Sequence, residues 1–336
     1  MSRPMPEPPP PRRLILDALG EIRLTHPMSL IDDVLDSGTN SVAVTLTDPK
    51  VYGEAAFTAA LADLAAYDHH VTSHADRLAK ALTVGDIDAA RADNRLALVY
   101  QLQNSTPVQK DLDRVDLLYG LGVRSIQLTY NYQNYVGAGC RERRDAGLTV
   151  FGLELIERMN AVGMLVDTSH AGMQTMADTI AHSRRPTIVS HTCCEQVHSH
   201  VRNTTDENLK ALADSGGVVG ICQIRNFVTA KTRDNLEHYF DHIDHAVRVA
   251  GVEHVCIGSD RDHRVIPDTQ DEIDLLIAEE GAQFSPDQWP LYITELNGPR
   301  RMEVVHDGIV RRGYAAADVD RLLGGNLRRL YREVLG

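Results

Sequence analysis

Two stretches near the middle of the chain, MLVDTSH (164–170) and TIVSHT (187–192), decide the fold prediction. Each is a short apolar run that ends in polar residues, and a helical stretch at 171–183 separates them. Apolar runs of this length indicate strands that are buried on both faces, as in a parallel sheet. Together with the helical stretch, they therefore predict one β-α-β unit.

The same alternation extends in both directions along the chain. Further apolar runs lie at 14–19, 41–46, 97–102, 125–130, 217–221 and 254–260, and further helical stretches at 54–82, 108–121, 150–161, 205–214 and 235–250. Eight strand–helix units in about 300 residues are typical of an α/β fold of the (β/α)8 TIM barrel type. A doubly wound open sheet is the alternative, but the turn after the first strand, DALGEI, lacks a Gly-rich phosphate-binding fingerprint.

The predicted organisation is a proline-rich N-terminal arm over 1–12 followed by a single barrel domain over 13–336. Six of the first eleven residues are proline, which indicates an extended segment. The region 264–296 shows no clear strand pattern, and we expect it to be a loop insertion over the mouth of the barrel.

Composition and charge exclude several classes of partner. The chain of 336 residues is 43% hydrophobic and 24% charged, and its net charge of −13 argues against binding to nucleic acid or to an anionic membrane surface. No apolar run reaches the roughly 18 residues of a membrane span, and the N-terminus lacks the apolar core of a secretory signal. The five cysteines form no disulfide or zinc-knuckle pattern, so we expect free thiols and a cytoplasmic location.

Polar residues at the ends of the predicted strands are the candidate site. A TIM barrel carries its active site at the carboxyl ends of its strands, where His170, His191, Asp260, Tyr130 and Asn131 fall. Imidazole and carboxylate groups that converge in this way suit a zinc ion. The alternative is that each histidine only caps its strand with hydrogen bonds.

Five segments resemble the renal or membrane dipeptidases, peptidase family M19. They are GVRSIQLTYN (122–131), GLTVFGLELIERMNAVGMLVDTSHAG (147–172), RRPTIVSHT (184–192), RNTTDENLKALADSGGVVGI (202–221) and HIDHAVRVAGVEHVCIGSDRD (242–262). The spacing between His170 and His191 also matches that of the family's two histidines. The resemblance implies a (β/α)8 barrel with a binuclear zinc centre that hydrolyses dipeptides.

The resemblance also implies roles for individual residues. His170 and His191 fall on the pair that holds one zinc ion. Asp260 falls on the carboxylate that contacts the metal centre and moves protons. Arg202 falls on the arginine that grips the carboxylate of the substrate, a role that suits a bidentate guanidinium, and we expect Asn131 to contact substrate beside it.

Other positions depart from the family pattern. The Asp-x-His-x-Asp motif of the first strand reads Asp17-Ala-Leu19-Gly-Glu21, so its histidine is replaced by leucine. The bridging glutamate aligns with Gln103, and a further histidine aligns with Tyr130. The neutral amide of Gln103 does not offset the charge of two dications. These changes predict at most one zinc ion, held by His170 and His191 and completed by Gln103, Glu21 or Asp260.

Three hypotheses for function follow. The first is a dipeptidase-like metallohydrolase of a small amide or dipeptide with a free carboxylate, in which Asp260 is the general base and Tyr130 donates to the oxyanion. The second is a binding barrel that has lost hydrolysis but still takes small carboxylate ligands through Arg202. The third is a metal-independent acid–base enzyme that uses Asp260 and Tyr130. Metal analysis separates the first from the others, and we expect a homodimer by resemblance and base rate.

Overall fold

A closed ring of eight parallel strands forms the centre of the structure. The computed structural model describes residues 13–281 and 284–336. The ring runs β1-β2-β4-β5-β6-β7-β8-β9 and closes where Asp17 of β1 pairs with Ile257 of β9. The strands are β1 (Ile15–Asp17), β2 (Thr39–Thr45), β3 (Leu78–Lys80), β4 (Leu96–Leu102), β5 (Val123–Gln127), β6 (Leu165–Asp167), β7 (Ile188–Thr192), β8 (Val218–Ile221) and β9 (Val255–Ile257). This confirms the predicted (β/α)8 barrel.

Helices connect the strands and surround the ring. They are α1 (Met28–Asp36), α2 (Glu54–Ser73), α3 (Val84–Ala92), α4 (Asp113–Leu121), α5 (Val150–Val162), α6 (Met173–His182), α7 (Asp206–Asp214), α8 (Arg225–Val228), α9 (Leu236–Ala250), α10 (Gln270–Glu280), α11 (Arg301–Arg311), α12 (Ala316–Asp320) and α13 (Asn326–Val334). Among the described residues, none of these helices is both long and apolar enough to cross a membrane.

Two regions differ from the sequence prediction. The stretch 54–82 was predicted to be helical, but α2 ends at Ser73 and Leu78–Lys80 forms β3. The extended segment pairs with Leu96–Leu98 in the first half of β4, whereas β5 pairs with the second half of that strand. The predicted insertion at 264–296 contains α10 and two short 3-10 turns. The predicted arm over 1–12 lies outside the described residues.

The interior of the barrel is packed and closed at the amino ends of the strands. Leu16, Ala43 and Cys256 point inward from three strands and form one cluster with residues of α3 and α13. Glycine is needed where the backbones meet at the centre. A Cβ atom on Gly258 would lie 1.7 Å from the carbonyl oxygen of Ser190, so no other residue fits there. The polar strand ends therefore point toward the opposite, open end of the barrel.

Two buried carboxylate–serine pairs brace the narrowest contacts in the ring. The pairs β1–β9 and β6–β7 each have a single registered position. At the first, Ser259 donates from its backbone N to Asp17 Oδ1 over 2.8 Å and from its Oγ to Asp17 Oδ2 over 2.5 Å. At the second, Ser190 donates in the same way to Asp167, over 3.1 and 2.5 Å. Side-chain hydrogen bonds thus reinforce the ring where its backbone ladder is shortest.

Asp17→Asn tests how the raised pKa of Asp17, in its contact with Ser259, affects the free energy of unfolding. Burial raises the pKa of Asp17 from 3.8 to about 6, although Ser259 lowers it in part. The folded protein therefore holds this proton more tightly than the unfolded chain, and the associated stability is lost as pH rises from about 4 to above 6. Relative to Asp17→Asn, the wild-type free energy of unfolding should fall by about 3 kcal/mol across that window. Urea denaturation over this pH series checks it, and a constant difference would contradict it.

Candidate active site

A cavity of about 580 Å³ opens at the carboxyl ends of the strands. This volume is ordinary for a small-molecule site. Seven residues predicted from the sequence line it, namely Glu21, Gln103, Tyr130, Asn131, His170, Arg202 and Asp260. Loops after β1, β4, β5, β6, β7 and β9 contribute these side chains, so the strand ends converge as a TIM barrel requires.

His170 lies at the wall of the cavity, with His191 behind it. The two imidazole rings are 4.9 Å apart between centroids, and the ring of Tyr130 stacks on His170 at 4.2 Å. His170 Nδ1 donates to Asn131 Oδ1 over 2.7 Å, because that oxygen only accepts. The lone pair of His170 is therefore on Nε2. The amide oxygen of Asn131 thus orients His170, and a substrate contact by Asn131 stays a prediction.

A relay through Ser190 orients His191. Its Nδ1 lies 2.8 Å from Ser190 Oγ, which lies 2.5 Å from Asp167 Oδ2. When Asp167 is ionised, Ser190 donates to the carboxylate and His191 donates to Ser190, which leaves the lone pair of His191 on Nε2. This Nε2 atom is buried and has no hydrogen-bond partner among the described residues. An unpartnered imidazole nitrogen at this depth is costly unless something binds it.

Both histidines are neutral near pH 7. Burial lowers the pKa of His170 and of His191 well below the ordinary value, and the positive charge of Arg202 lowers both further. Neutral imidazole is the form that coordinates a metal ion.

Arg202 is a buried cation with capacity for an anionic ligand. Its side chain is only 3% exposed, packs against the ring of Phe227 at 5.3 Å and donates from Nη2 to the carbonyl oxygen of His191 over 3.4 Å. Its Nε atom is buried and unpartnered, and no carboxylate of the described residues lies within ion-pair distance. A guanidinium held in this way favours a carboxylate group of a ligand.

Asp260 has the properties of a proton-transfer group. The pKa of Asp260 is raised to about 7, mainly by burial; the charge of Glu21 also raises it, whereas Arg202 and Arg261 lower it. A carboxyl group that titrates near neutral pH suits a general base that later acts as an acid. Cys222 donates from Sγ to Asp260 Oδ2 over 3.8 Å.

Three site residues have a left-handed backbone conformation that residues other than glycine rarely adopt. The φ angles are 60° at Asn131, 63° at His170 and 53° at Asp260, all in the left-handed region. Strain of this kind costs about 1–3 kcal/mol per residue and is common at active sites. Each lies three or four residues beyond the end of its strand, so the turn after each strand aims a side chain at the same cavity.

The remaining predicted metal ligands are less available. Glu21 lines the cavity, but its Oε2 lies 2.7 Å from Arg23 Nη2, so its charge is already paired. Gln103 lines the wall as a neutral amide. The part of the chain that the structure describes contains no group of three or more His, Cys, Asp or Glu side chains arranged to hold a metal ion. Leu19, which the resemblance aligns with a histidine, is 2% exposed and also lines the cavity.

Several cavity residues were not predicted from the sequence. Arg141 and Arg261 line the cavity, and so do Glu279 and Glu280 from α10. Arg261 stands next to Asp260 and was visible only as a departure from the family motif. Arg141 begins a run of charged residues, RERR (141–144), that resembles a solvated loop. α10 belongs to the segment 264–296, which was expected over the mouth of the barrel, but its helical conformation and its two carboxylates in the cavity were not predicted.

The fold and the cavity define a hydrolase barrel of the amidohydrolase type, and comparison with known proteins identifies its family. The family model for membrane dipeptidases, peptidase family M19, matches residues 29–278. The chain therefore belongs to this family of metal-dependent hydrolases, as the sequence resemblance predicted.

Individual relatives agree with this assignment. An uncharacterized dipeptidase of Schizosaccharomyces pombe is 35% identical over 182 residues, which cover 52% of this chain and 44% of that protein. The dipeptidase verJ of Clonostachys rogersoniana is 34% identical over 221 residues, 62% of this chain and 55% of that protein. The chain thus spans about half the length of these two relatives. A solved amidohydrolase of Pseudomonas aeruginosa superimposes with a TM-score of 0.86 at 25% identity, covering 96% of this chain and 97% of that one.

Replacement of Arg202 by methionine tests the electrostatics of the site. The pKa of His200, which lines the cavity, is lowered to about 4 by burial and by the charges of Arg202 and Arg141. Arg202→Met should therefore raise the pKa of His200 toward 6.5, as followed by NMR titration of the imidazole signals. Arg144→Met changes an exposed arginine by the same charge and is the control. A pKa that stays near 4 in Arg202→Met would contradict this description of the site.

Proposed function

We propose that this protein hydrolyses a small amide or dipeptide that bears a free carboxylate, with a metal site reduced to one zinc ion. The convergence of Asp260, Arg202 and His170 at one cavity, with His191 behind His170, carries the proposal. In this proposal Arg202 binds the substrate carboxylate, Asp260 transfers protons, and the two imidazoles would hold one divalent ion. Membership of the M19 family and its dipeptidase relatives support this reaction class.

The donor set fits one ion and not two. The Nε2 lone pairs of His170 and His191 supply two nitrogen ligands, and the unpartnered Nε2 of the buried His191 is the observation that favours an ion there. A catalytic zinc ion usually has three protein ligands and one open position, so Gln103 would complete the set through its amide oxygen. A second ion would have Leu19 and the paired Glu21 in place of its ligands, so its site is absent.

The side chains of the chain divide the reaction between them. Arg202 holds the carboxylate of the substrate and thereby positions the scissile amide. Asp260 accepts a proton from the attacking water and transfers it to the nitrogen of the leaving amine, which balances the reaction. Burial raises the pKa of Tyr130, so its hydroxyl stays protonated and donates to the developing oxyanion. An ion held by His170 and His191 would supply polarisation of the carbonyl group.

Asp260→Asn tests the proton-transfer role. Loss of a general base lowers kcat by roughly 10²–10⁴-fold, and we expect a loss in that range for hydrolysis of N-acyl amino acids or dipeptides. In the wild type, kcat/KM should fall as pH drops below about 7, because protonated Asp260 does not accept a proton. Asp48→Asn alters a cavity carboxylate that pairs with Lys50 and should leave kcat nearly unchanged. Equal rates for wild type and Asp260→Asn would refute the role.

Zinc titration of metal-stripped protein tests the ligand set. Calorimetry should give one Zn²⁺ per wild-type chain, and His170→Ala or His191→Ala should weaken binding by more than the roughly 10- to 100-fold that loss of an outer partner costs. Gln103→Glu should tighten binding, because it adds an anionic ligand. His69→Ala, on the exposed face of α2, is the control.

Two outcomes would contradict the proposal of a reduced metal site. One is unchanged Zn²⁺ affinity in His170→Ala and His191→Ala. The other is hydrolysis by wild-type protein that binds no metal, which would favour acid–base chemistry by Asp260 and Tyr130 alone.

A further inference from the structure

The charged side chains that line the cavity are unevenly paired, although acidic and basic groups are nearly equal in number. The acidic side chains at its wall, apart from Asp260, each lie within 4.0 Å of a basic group of Arg23, Lys50 or Arg264 (these are Glu21, Asp48, Asp262, Glu272, Glu279 and Glu280). Arg141, Arg202 and Arg261 also line the wall, and none has a carboxylate of the described residues within that distance. Three guanidinium groups thus face one unpaired carboxyl group.

These arginines carry unpartnered donors. The Nε atoms of Arg141 and Arg202 and the Nη2 atom of Arg261 are buried and make no hydrogen bond among the described residues. Arg261 uses its Nη1 on the carbonyl oxygen of Leu291 over 3.4 Å. A desolvated guanidinium with free donors costs free energy unless an anion binds it. The cavity is therefore complete only with an anionic occupant.

Arg141 and Arg202 act on the same part of the cavity. The loop that carries Arg141 is fixed next to Asn131, because Arg141 N donates to the carbonyl oxygen of Asn131 over 2.7 Å. Arg141, Arg202 and His200 line the same cavity, and both guanidinium charges lower the pKa of that imidazole. In the proposed function, Arg202 binds the first carboxylate of the substrate. Arg141 is therefore available to bind a second anionic group.

We propose that the substrate is dianionic, with one carboxylate on Arg202 and a second anionic group on Arg141. N-acylated amino diacids, and amides of dicarboxylic acids with an amino acid, have this chemistry. A dipeptide with a free ammonium group would place a positive charge beside these three unpaired guanidinium groups, so it is the poorer ligand. The identity of the reaction rests on the proposed function, but the anion subsite itself does not.

Binding of simple acids to the wild-type protein tests the subsite without catalysis. Glutarate has two carboxylates, butyrate has one, and 4-aminobutyrate has an ammonium group in place of the second. Calorimetric affinity should decrease in the order glutarate, butyrate, 4-aminobutyrate. Arg141→Gln should weaken glutarate binding by roughly 10- to 100-fold, the usual effect of a hydrogen bond to a charged group, and leave butyrate binding unchanged. Arg144→Gln, on the exposed part of the same loop, is the control.

Two results would overturn the proposal. One is wild-type protein that binds glutarate no tighter than butyrate, a measurement that needs no variant. The other is an equal effect of Arg141→Gln and Arg144→Gln on glutarate. Arg141→Lys keeps the charge and should retain most of the preference, which guards against a folding defect in Arg141→Gln. If glutarate binds as expected but N-acetylglutamate is not cleaved, the subsite stands and the proposed hydrolysis fails.

Discussion

The hydrogen bonds of Ser259 to Asp17 and of Ser190 to Asp167 hold the barrel closed where its backbone pairing is weakest. Each strand pair involved has one registered position, and each carboxylate accepts both a backbone N–H and a hydroxyl from the neighbouring strand. Burial of an acidic group costs free energy unless such partners offset it. The ring therefore depends on these two polar pairs as well as on apolar packing.

The chemistry of the site is built directly on these two contacts. Asp260 follows Ser259, and His191 follows Ser190, so each functional side chain is anchored by its neighbour in the chain. His170 follows the strand that carries Asp167. The neighbouring Ser169 belongs to the same hydrogen-bonded group, because its Oγ lies 3.1 Å from Ser190 Oγ. A shift at either contact would therefore displace a functional side chain and at the same time weaken the closure of the strand ring.

Charge connects the proposed reduced metal site to the proposed anion subsite. A binuclear zinc centre needs several carboxylates, and the resemblance aligns Leu19 and Gln103 with a histidine and a glutamate of the family. At the same wall this chain has Arg141 and Arg261, with no carboxylate partner within ion-pair distance among the described residues. Guanidinium groups repel a second dication but attract an anionic ligand. The smaller number of metal ligands and the unpaired guanidinium groups thus both favour a substrate with more negative charge.

Much of this could be predicted from the sequence, because it depends on local patterns. Apolar runs with polar ends gave the barrel, and the segments around His170 and His191 gave the family. Long-range contacts could not be predicted. The extended backbone of Leu78–Lys80 depends on a free edge of β4, and the burial of Arg141 depends on how its loop packs. The pairing of Glu21 with Arg23 likewise required the folded structure, since both residues read as ordinary charged side chains.

Anomalous diffraction at the zinc edge, from crystals grown with Zn²⁺, tests the central claim most directly. The account predicts one peak per chain, at about 2.0–2.1 Å from Nε2 of His170 and from Nε2 of His191. No peak should lie beside Leu19. Two zinc peaks in the cavity, or one peak with neither histidine as a ligand, would contradict it.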